Sequence, residues 1–326
     1  MKRKRNPVVD YLAYLGIRFA VCVAQALSVE QGYALARFVA WAMYTVDVRY
    51  RKSRYRNVAL ENLRCAFGDR FTEEEREEIV RAVYLHFSMM VTEMLHIPRK
   101  LHPTTWRHRI TLVRHDEVLN RLLQGGPLIM LSGHFGNWEM AGYLFGVFGF
   151  PPCSVARTLD NPYVDRFLRS FRERTGQKLI PKSGGYEQML EVLNTGGVLS
   201  FLADQDAGQR GMYVDFFGRP ASTHKAIALL AIEHNAPVVV GYAKRIGPGF
   251  RYEVGCADLI EPAELTGTAD DVRILTQRFT TGLERVIRDA PEQYLWLHRR
   301  WKHQPQPRKK PQKEGTVAAL AGGTMI

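Results

Sequence analysis

Pro127-Leu-Ile-Met-Leu-Ser-Gly-His134-Phe-Gly-Asn-Trp-Glu139-Met-Ala-Gly-Tyr143 is the stretch on which the fold turns. Leu128 to Leu131 form a short apolar run with no helical period. This suits a strand covered on both faces, as in a parallel sheet between helices. Gly136 and Asn137 interrupt the run and tolerate turn dihedrals. Asn137 is a helix cap for a segment that begins at Trp138. The spacing therefore predicts strand, tight turn, helix, with His134 at the strand end and Glu139 in the first helical turn. Open α/β sheets carry their sites at the carboxyl ends of strands.

On one continuous helix, residues five apart point about 140° from each other. The turn lets the Glu139 carboxylate fold back toward the His134 imidazole. A carboxylate on one ring nitrogen leaves the other to take a proton from a hydroxyl. No Ser or Cys lies in a nucleophile-elbow pattern here. The pattern thus favours direct attack by a substrate hydroxyl over a covalent acyl-enzyme. It equally fits a structural histidine bonded at a strand end.

Outward from this stretch, strands and helices alternate. Strands are expected at Ile110–Val113, Cys153–Ala156, Leu179–Ile180, Val198–Ala203 and Pro237–Tyr242, with Arg251–Val254 paired beside the last. Helices are expected at Asp116–Leu123, from Pro162 to before Gly176, at Gly185–Leu193 and at Asp270–Asp289. Another, capped by Ser222 or Thr223, should run to His234. Such alternation argues for an α/β domain with a mixed sheet flanked by helices. Residues 106–303 carry it.

Residues 49–105 read as helical. Thr72-Glu-Glu-Glu75 is a capping box, and the helix it opens should end before Pro98. His86, Glu93 and His96 on that helix read as surface or packing residues. Residues 1–48 combine a basic head, Met1–Arg5, with apolar segments at Tyr11–Leu27 and Gln31–Val46. Arg18 and Gln25 interrupt the first of these, which is about the length a bilayer requires. Basic residues flank both sides, with Arg49–Arg56 as the second cluster. The positive-inside rule then holds both ends on the cytoplasmic face. The segments would lie on or dip into the membrane, with a single crossing or a buried hairpin as the alternatives. Residues 304–326, rich in Pro, Lys, Gly and Ala, read as a disordered tail.

The chain of 326 residues carries a net charge of +12, which draws anionic partners such as phosphorylated substrates, anionic lipid or an acidic carrier protein. Its aromatic residues do not interleave with basic ones in any RNA-binding signature, so nucleic acid is not expected. There is no Walker motif and no dinucleotide fingerprint. The four cysteines are far apart and without zinc spacing, which suits reduced thiols. Three polar residues, His134, Arg157 and Asp204, end predicted strands and should border one cleft. Arg157 and Arg172 are candidates for phosphate binding or oxyanion stabilisation. The arginines at 166–174 also fit a solvated helix face. Asp204-Gln205-Asp206 raises magnesium as a minor alternative; no metal or other cofactor is expected.

His134-Phe-Gly-Asn-Trp-Glu139 resembles the H-x4-D/E motif of glycerolipid-type acyltransferases. Arg157, Asn161-Pro162, Arg172, Asp204-Gln205, Phe216-Phe-Gly-Arg-Pro-Ala-Ser-Thr223 and Pro291–Arg300 follow in order. The ordered set resembles the late acyltransferases of lipid A biosynthesis, over roughly residues 8 to 303. The resemblance implies an acyl donor on acyl carrier protein or coenzyme A and a glycolipid hydroxyl as acceptor, at the cytoplasmic face of the inner membrane. It implies His134 as general base with Glu139 as its partner, Arg172 at the oxyanion or substrate, and Asp204 with Gln205 in the site. Arg299 and Arg300, if they face the cleft, would add to the contacts for a phosphorylated sugar. Related enzymes acylate mannosylated inositol lipids.

Overall fold

The computed structural model describes residues 6–305. The basic head at residues 1–5 and the tail from residue 306 lie outside them.

Four helices come first. α1 (Pro7–Ala26) starts at an Asn6 cap with proline at its first position. α2 (Val29–Tyr50) opens on a Ser28/Gln31 capping box. α3 (Arg54–Phe67) follows a tight turn. α4 (Glu73–Lys100) opens on the expected Thr72/Glu75 box, but it runs through Pro98. At that position a proline removes only one bond of the final turn, and Leu101 N still donates to the Ile97 carbonyl.

α1 buries almost nothing. Val9, Leu12, Leu15 and Phe19 are exposed, Phe19 to 74%. α2 adds Phe38, Val39, Trp41 and Met43 to the exposed apolar surface. By length and composition alone, α1 is the one helix among the described residues that is apolar enough to cross a membrane.

The sheet then builds from β1 (Ile110–Val113), β2 (Leu128–Ser132), β3 (Cys153–Ala156), β4 (Lys178–Pro181), β5 (Val198–Leu202), β8 (Val238–Arg245) and β9 (Tyr252–Ile260), in the order β1-β9-β8-β2-β5-β3-β4. β2 lies in the middle, parallel to β5 and β8. β9 runs antiparallel to β8 and parallel to β1, which makes the sheet mixed. Leu128 to Leu131 are all buried, as a doubly covered strand requires.

The connecting helices are α5 (Asp116–Gln124), α6 (Trp138–Val147), α7 (Pro162–Arg172), α8 (Tyr186–Asn194), α9 (Ala226–Glu233) and α10 (Asp271–Asp289). The largest apolar cluster packs α3, α4, α9 and α10 against β2 and β8, through Leu63, Val80, Ile129, Val240 and Phe279.

One expected helix start is corrected. Ser222 and Thr223 do not cap α9. They end β7 (Arg219–Thr223), which pairs with β6 (Met212–Phe216) in an antiparallel hairpin. α9 begins at Ala226 with no side-chain cap. The Phe217-Gly218 turn carries the hairpin signal: both residues take positive φ, 57° and 74°.

Candidate active site

His134 leaves the end of β2 in a turn built to hold it. Gly136 has φ +58°, and a Cβ there would overlap the carbonyl oxygen of Ala243. Only glycine fits such a left-handed position at such close approach. Asn137 caps α6, its Oδ1 accepting from Met140 N at 3.0 Å. The segment Gln293–Leu295 runs alongside. Gly136 N donates to the Gln293 carbonyl at 3.0 Å, and Leu295 N donates to the His134 carbonyl at 3.1 Å. The Pro291–Arg300 stretch therefore serves as a backbone clamp on the His134 turn.

The partner of His134 differs from the sequence expectation. Nδ1 bonds Asp204 Oδ1 at 2.8 Å, and the His134 amide donates to Asp204 Oδ2 at 2.9 Å. Asp204 sits just past the end of β5, next to β2, and is buried. Glu139 is turned elsewhere. It forms a bidentate pair with Arg172 from the end of α7, at 2.8 and 2.5 Å, and accepts from the Trp138 indole at 3.1 Å. Entry into α6 carries the Glu139 side chain away from the ring. Adjacent parallel strands, by contrast, bring Asp204 beside it.

Burial disfavours the charged imidazolium of His134. The Asp204 carboxylate more than offsets this and raises the His134 pKa above its ordinary value. Burial would push the Asp204 carboxyl up, but the His134 charge and hydrogen bonds hold it down. The result is a carboxylate-oriented imidazole whose Nε2 is left to exchange a proton.

The other candidates are held differently. Arg157 is 77% exposed at its side chain and pairs with Asp160, so it does not reach the His134–Asp204 pair. It stands just past the end of β3, in the irregular stretch that leads to α7. Gln205 is half-buried in the turn after Asp204. Asp206 bonds the His303 ring at 2.6 Å. Among the described residues, no group of three or more His, Cys, Asp or Glu side chains could hold a metal ion. Arg300 does not face a cleft either. It is buried and donates to the Ser222 carbonyl and Thr223 Oγ1 at 2.6 and 2.7 Å, tying down β7, while Arg299 is exposed.

A cavity of about 490 Å³ lies against the sheet between α5, α6 and the strands. Its walls are mostly apolar: Leu119, Leu122, Phe145, Phe201 and Val239 among them. Ser132, Trp138, Glu139 and Arg172 also line it. The ring of Trp138, one of these lining residues, lies 5.0 Å from the His134 imidazole.

An imidazole–carboxylate pair at a strand end, near a mostly apolar cavity, suits an enzyme that handles a proton beside an apolar ligand. Residues 2–303 match the family model described as bacterial lipid A biosynthesis acyltransferase, and the chain belongs to that family. It is an acyltransferase. It is 24% identical to the lipid A biosynthesis lauroyltransferase of Escherichia coli over 299 residues, 91% of this chain and 93% of that one. It is 23% identical to the lipid A biosynthesis acyltransferase of Haemophilus influenzae, over 77% and 76% of the two chains. It is also 28% identical to a phosphatidylinositol mannoside acyltransferase of Mycobacterium tuberculosis, over 60% and 64%.

Proposed function

We propose that this enzyme moves a fatty acyl group from an acyl thioester, on acyl carrier protein or coenzyme A, to a hydroxyl of a lipid A precursor. The observation that carries the reading is the mostly apolar cavity lined by Trp138, whose ring packs 5.0 Å from the imidazole of the His134–Asp204 pair. Its volume falls in the range of about 300–1,000 Å³ usual for ligand pockets. The acyl chain lies in it, with the thioester carbonyl toward His134.

Nε2 of His134 takes the proton of the acceptor hydroxyl as that oxygen attacks the carbonyl carbon. The tetrahedral intermediate collapses, the carbon–sulfur bond breaks, and the imidazolium returns the proton to the leaving thiolate. Asp204 keeps Nδ1 protonated and steadies the imidazolium. The amides of the first turn of α6 supply a positive end for the oxyanion. Glu139 and Arg172 act as a pair at the cavity mouth, and Gln205 contacts the acceptor. The net charge of +12 suits an acidic carrier and a phosphorylated sugar alike. α1 and the exposed apolar stripe of α2 hold the enzyme at the cytoplasmic face of the inner membrane.

The test is acyl transfer by purified protein from both thioesters to a bis-phosphorylated lipid A precursor, its dephosphorylated form and a mannosyl-inositol lipid. Transfer to the bis-phosphorylated acceptor, weakened by dephosphorylation, is expected. Transfer to the mannosyl lipid alone would assign the enzyme to the other branch of its relatives. Unchanged turnover in a folded His134→Ala protein would overturn the mechanism.

A further inference from the structure

The His134 turn is gripped from behind by α4. His86 and Glu93 lie seven residues apart on this helix, close to two turns, so they share a face. Both are buried, Glu93 completely. His86 Nε2–H donates to the Gly136 carbonyl at 3.1 Å. Burial, together with the charge on Arg245, pushes the His86 pKa down to about 3, so the ring is neutral and has one N–H to give.

Glu93 accepts from the Asn137 amide Nδ2 at 3.1 Å and from the Tyr33 hydroxyl at 2.5 Å. The Tyr252 hydroxyl and a two-pronged Arg245 guanidinium complete its shell. Asn137 thus spends one side-chain atom on the α6 cap and the other on Glu93. Gly136 has no side chain and Asn137 is fully engaged, so the peptide between them is held mainly by partners on other elements.

We infer that His86 and Glu93 are positioning residues for acyl transfer. α4 sets the 136–137 peptide, and through it the angle at which His134 meets Asp204. The inference rests on the reading of His134 as general base. A buried network whose members are all partnered rigidifies what it holds. A small misplacement of a reacting group costs on the order of 10²-fold in rate.

The experiment compares His86→Gln, which keeps an N–H at similar reach, with His86→Phe, which fills the space without a donor. Asn137→Ser keeps a capping oxygen but gives nothing to Glu93, and serves as a second probe should His86→Phe fold poorly. Two readouts are taken: kcat and donor KM in acyl transfer, and the titration midpoint of the His134 ring by nitrogen NMR. Close to wild-type kcat is expected for His86→Gln. His86→Phe and Asn137→Ser should lose kcat on the order of 10-fold to 100-fold at unchanged donor KM. Their His134 midpoint should fall toward that of a free imidazole as the Asp204 contact slackens.

Wild-type values of kcat and midpoint in both disruptive variants would overturn the inference, as would a His86→Gln protein no better than His86→Phe. A wild-type protein with no transfer would instead overturn the acyl-transfer reading. The His134 midpoints would still decide whether α4 positions the turn.

Discussion

His134 meets Asp204, seventy residues away in sequence, at 2.8 Å, while Glu139, five residues away, faces Arg172. This relationship ranks the carboxylates. Replacing His134 with Ala should lower turnover by roughly 10²–10⁴, the range for loss of a general base. Asp204→Asn should fall in the same range, because the amide does not stabilise the imidazolium and allows the wrong tautomer. The His134 pKa lies above its ordinary value, so kcat/KM should rise with pH through that raised pKa. Asp204 and Glu139 raise it while Lys182 lowers it. In Asp204→Asn the midpoint should move down. A pH–rate profile that keeps its midpoint in Asp204→Asn would exclude His134 as the titrating base.

The Glu139–Arg172 pair is the next target. Both side chains are largely buried, at 8% and 20% exposure. Breaking such a pair from one side leaves a poorly solvated charge. Glu139→Gln and Arg172→Met should each lower melting temperature and turnover, and the double variant should lose less than the sum. The coupling from the four-corner cycle should be about 0.5–3 kcal/mol. Strict additivity would mean the two side chains act independently.

Much of this was legible in the sequence, and the exceptions have physical causes. The β2–turn–α6 unit, the Asn137 cap and the Thr72 box follow from local chemistry: an apolar run, a glycine turn and capping residues. The choice of Asp204 over Glu139 does not, because strand adjacency is a long-range fact that spacing along the chain cannot report. The sequence puts Arg157 at a predicted strand end bordering the cleft, and Arg300 at the cleft only if it faces it. One turned to solvent, and the other was drawn inside by two acceptors on β7. The β6–β7 hairpin was hidden because Pro220 and two hydroxyl residues mimic a helix start. His86 and Glu93 read as packing residues. Their seven-residue spacing on an apolar helix face was the available signal, but what they hold could be seen only once the sheet was in place.

The cavity makes a prediction about chain length. Ser200, on β5, contributes to its wall. Ser200→Phe should narrow the cavity without touching His134 or Asp204. Overpacking of this sort costs about 1–3 kcal/mol, so the melting temperature should fall modestly. Long acyl donors should lose far more kcat/KM than short ones, measured across a thioester series. A uniform loss at every chain length would mean that the chain does not run past β5.

Membrane attachment should follow α1. Its exposed face carries Val8, Leu12, Leu15 and Phe19, while Tyr11 and Tyr14 lean on Tyr163 of α7, with ring centroids 5.2 and 5.9 Å away. High salt screens basic patches but leaves apolar insertion intact. The protein should stay with membranes in concentrated salt and leave them in detergent. Deleting residues 1–27 should weaken retention, and with α7 unsupported it should also disturb the Arg172 side of the cavity mouth. Complete release by salt would assign the attachment to the basic residues instead.

Acid should destabilise this protein through His86. The folded ring holds its pKa at about 3 because burial and Arg245 disfavour its charge. The unfolded ring titrates near the ordinary imidazole value of about 6.5. Between these values the unfolded chain binds a proton that the folded chain refuses. Stability is therefore fully kept above about pH 6.5 and falls as pH drops toward 3, by up to about 1.4 kcal/mol per pH unit from this one group. His134 has the opposite sign. Its raised pKa favours the folded state at low pH, and that contribution fades as pH climbs through the folded value. His86→Gln removes the titrating ring but keeps a donor for Gly136. Urea melts from pH 7 to pH 5 should therefore show a shallower loss of stability in His86→Gln than in wild type. Parallel curves for the two proteins would mean that His86 is protonated, or already exposed, in the folded state.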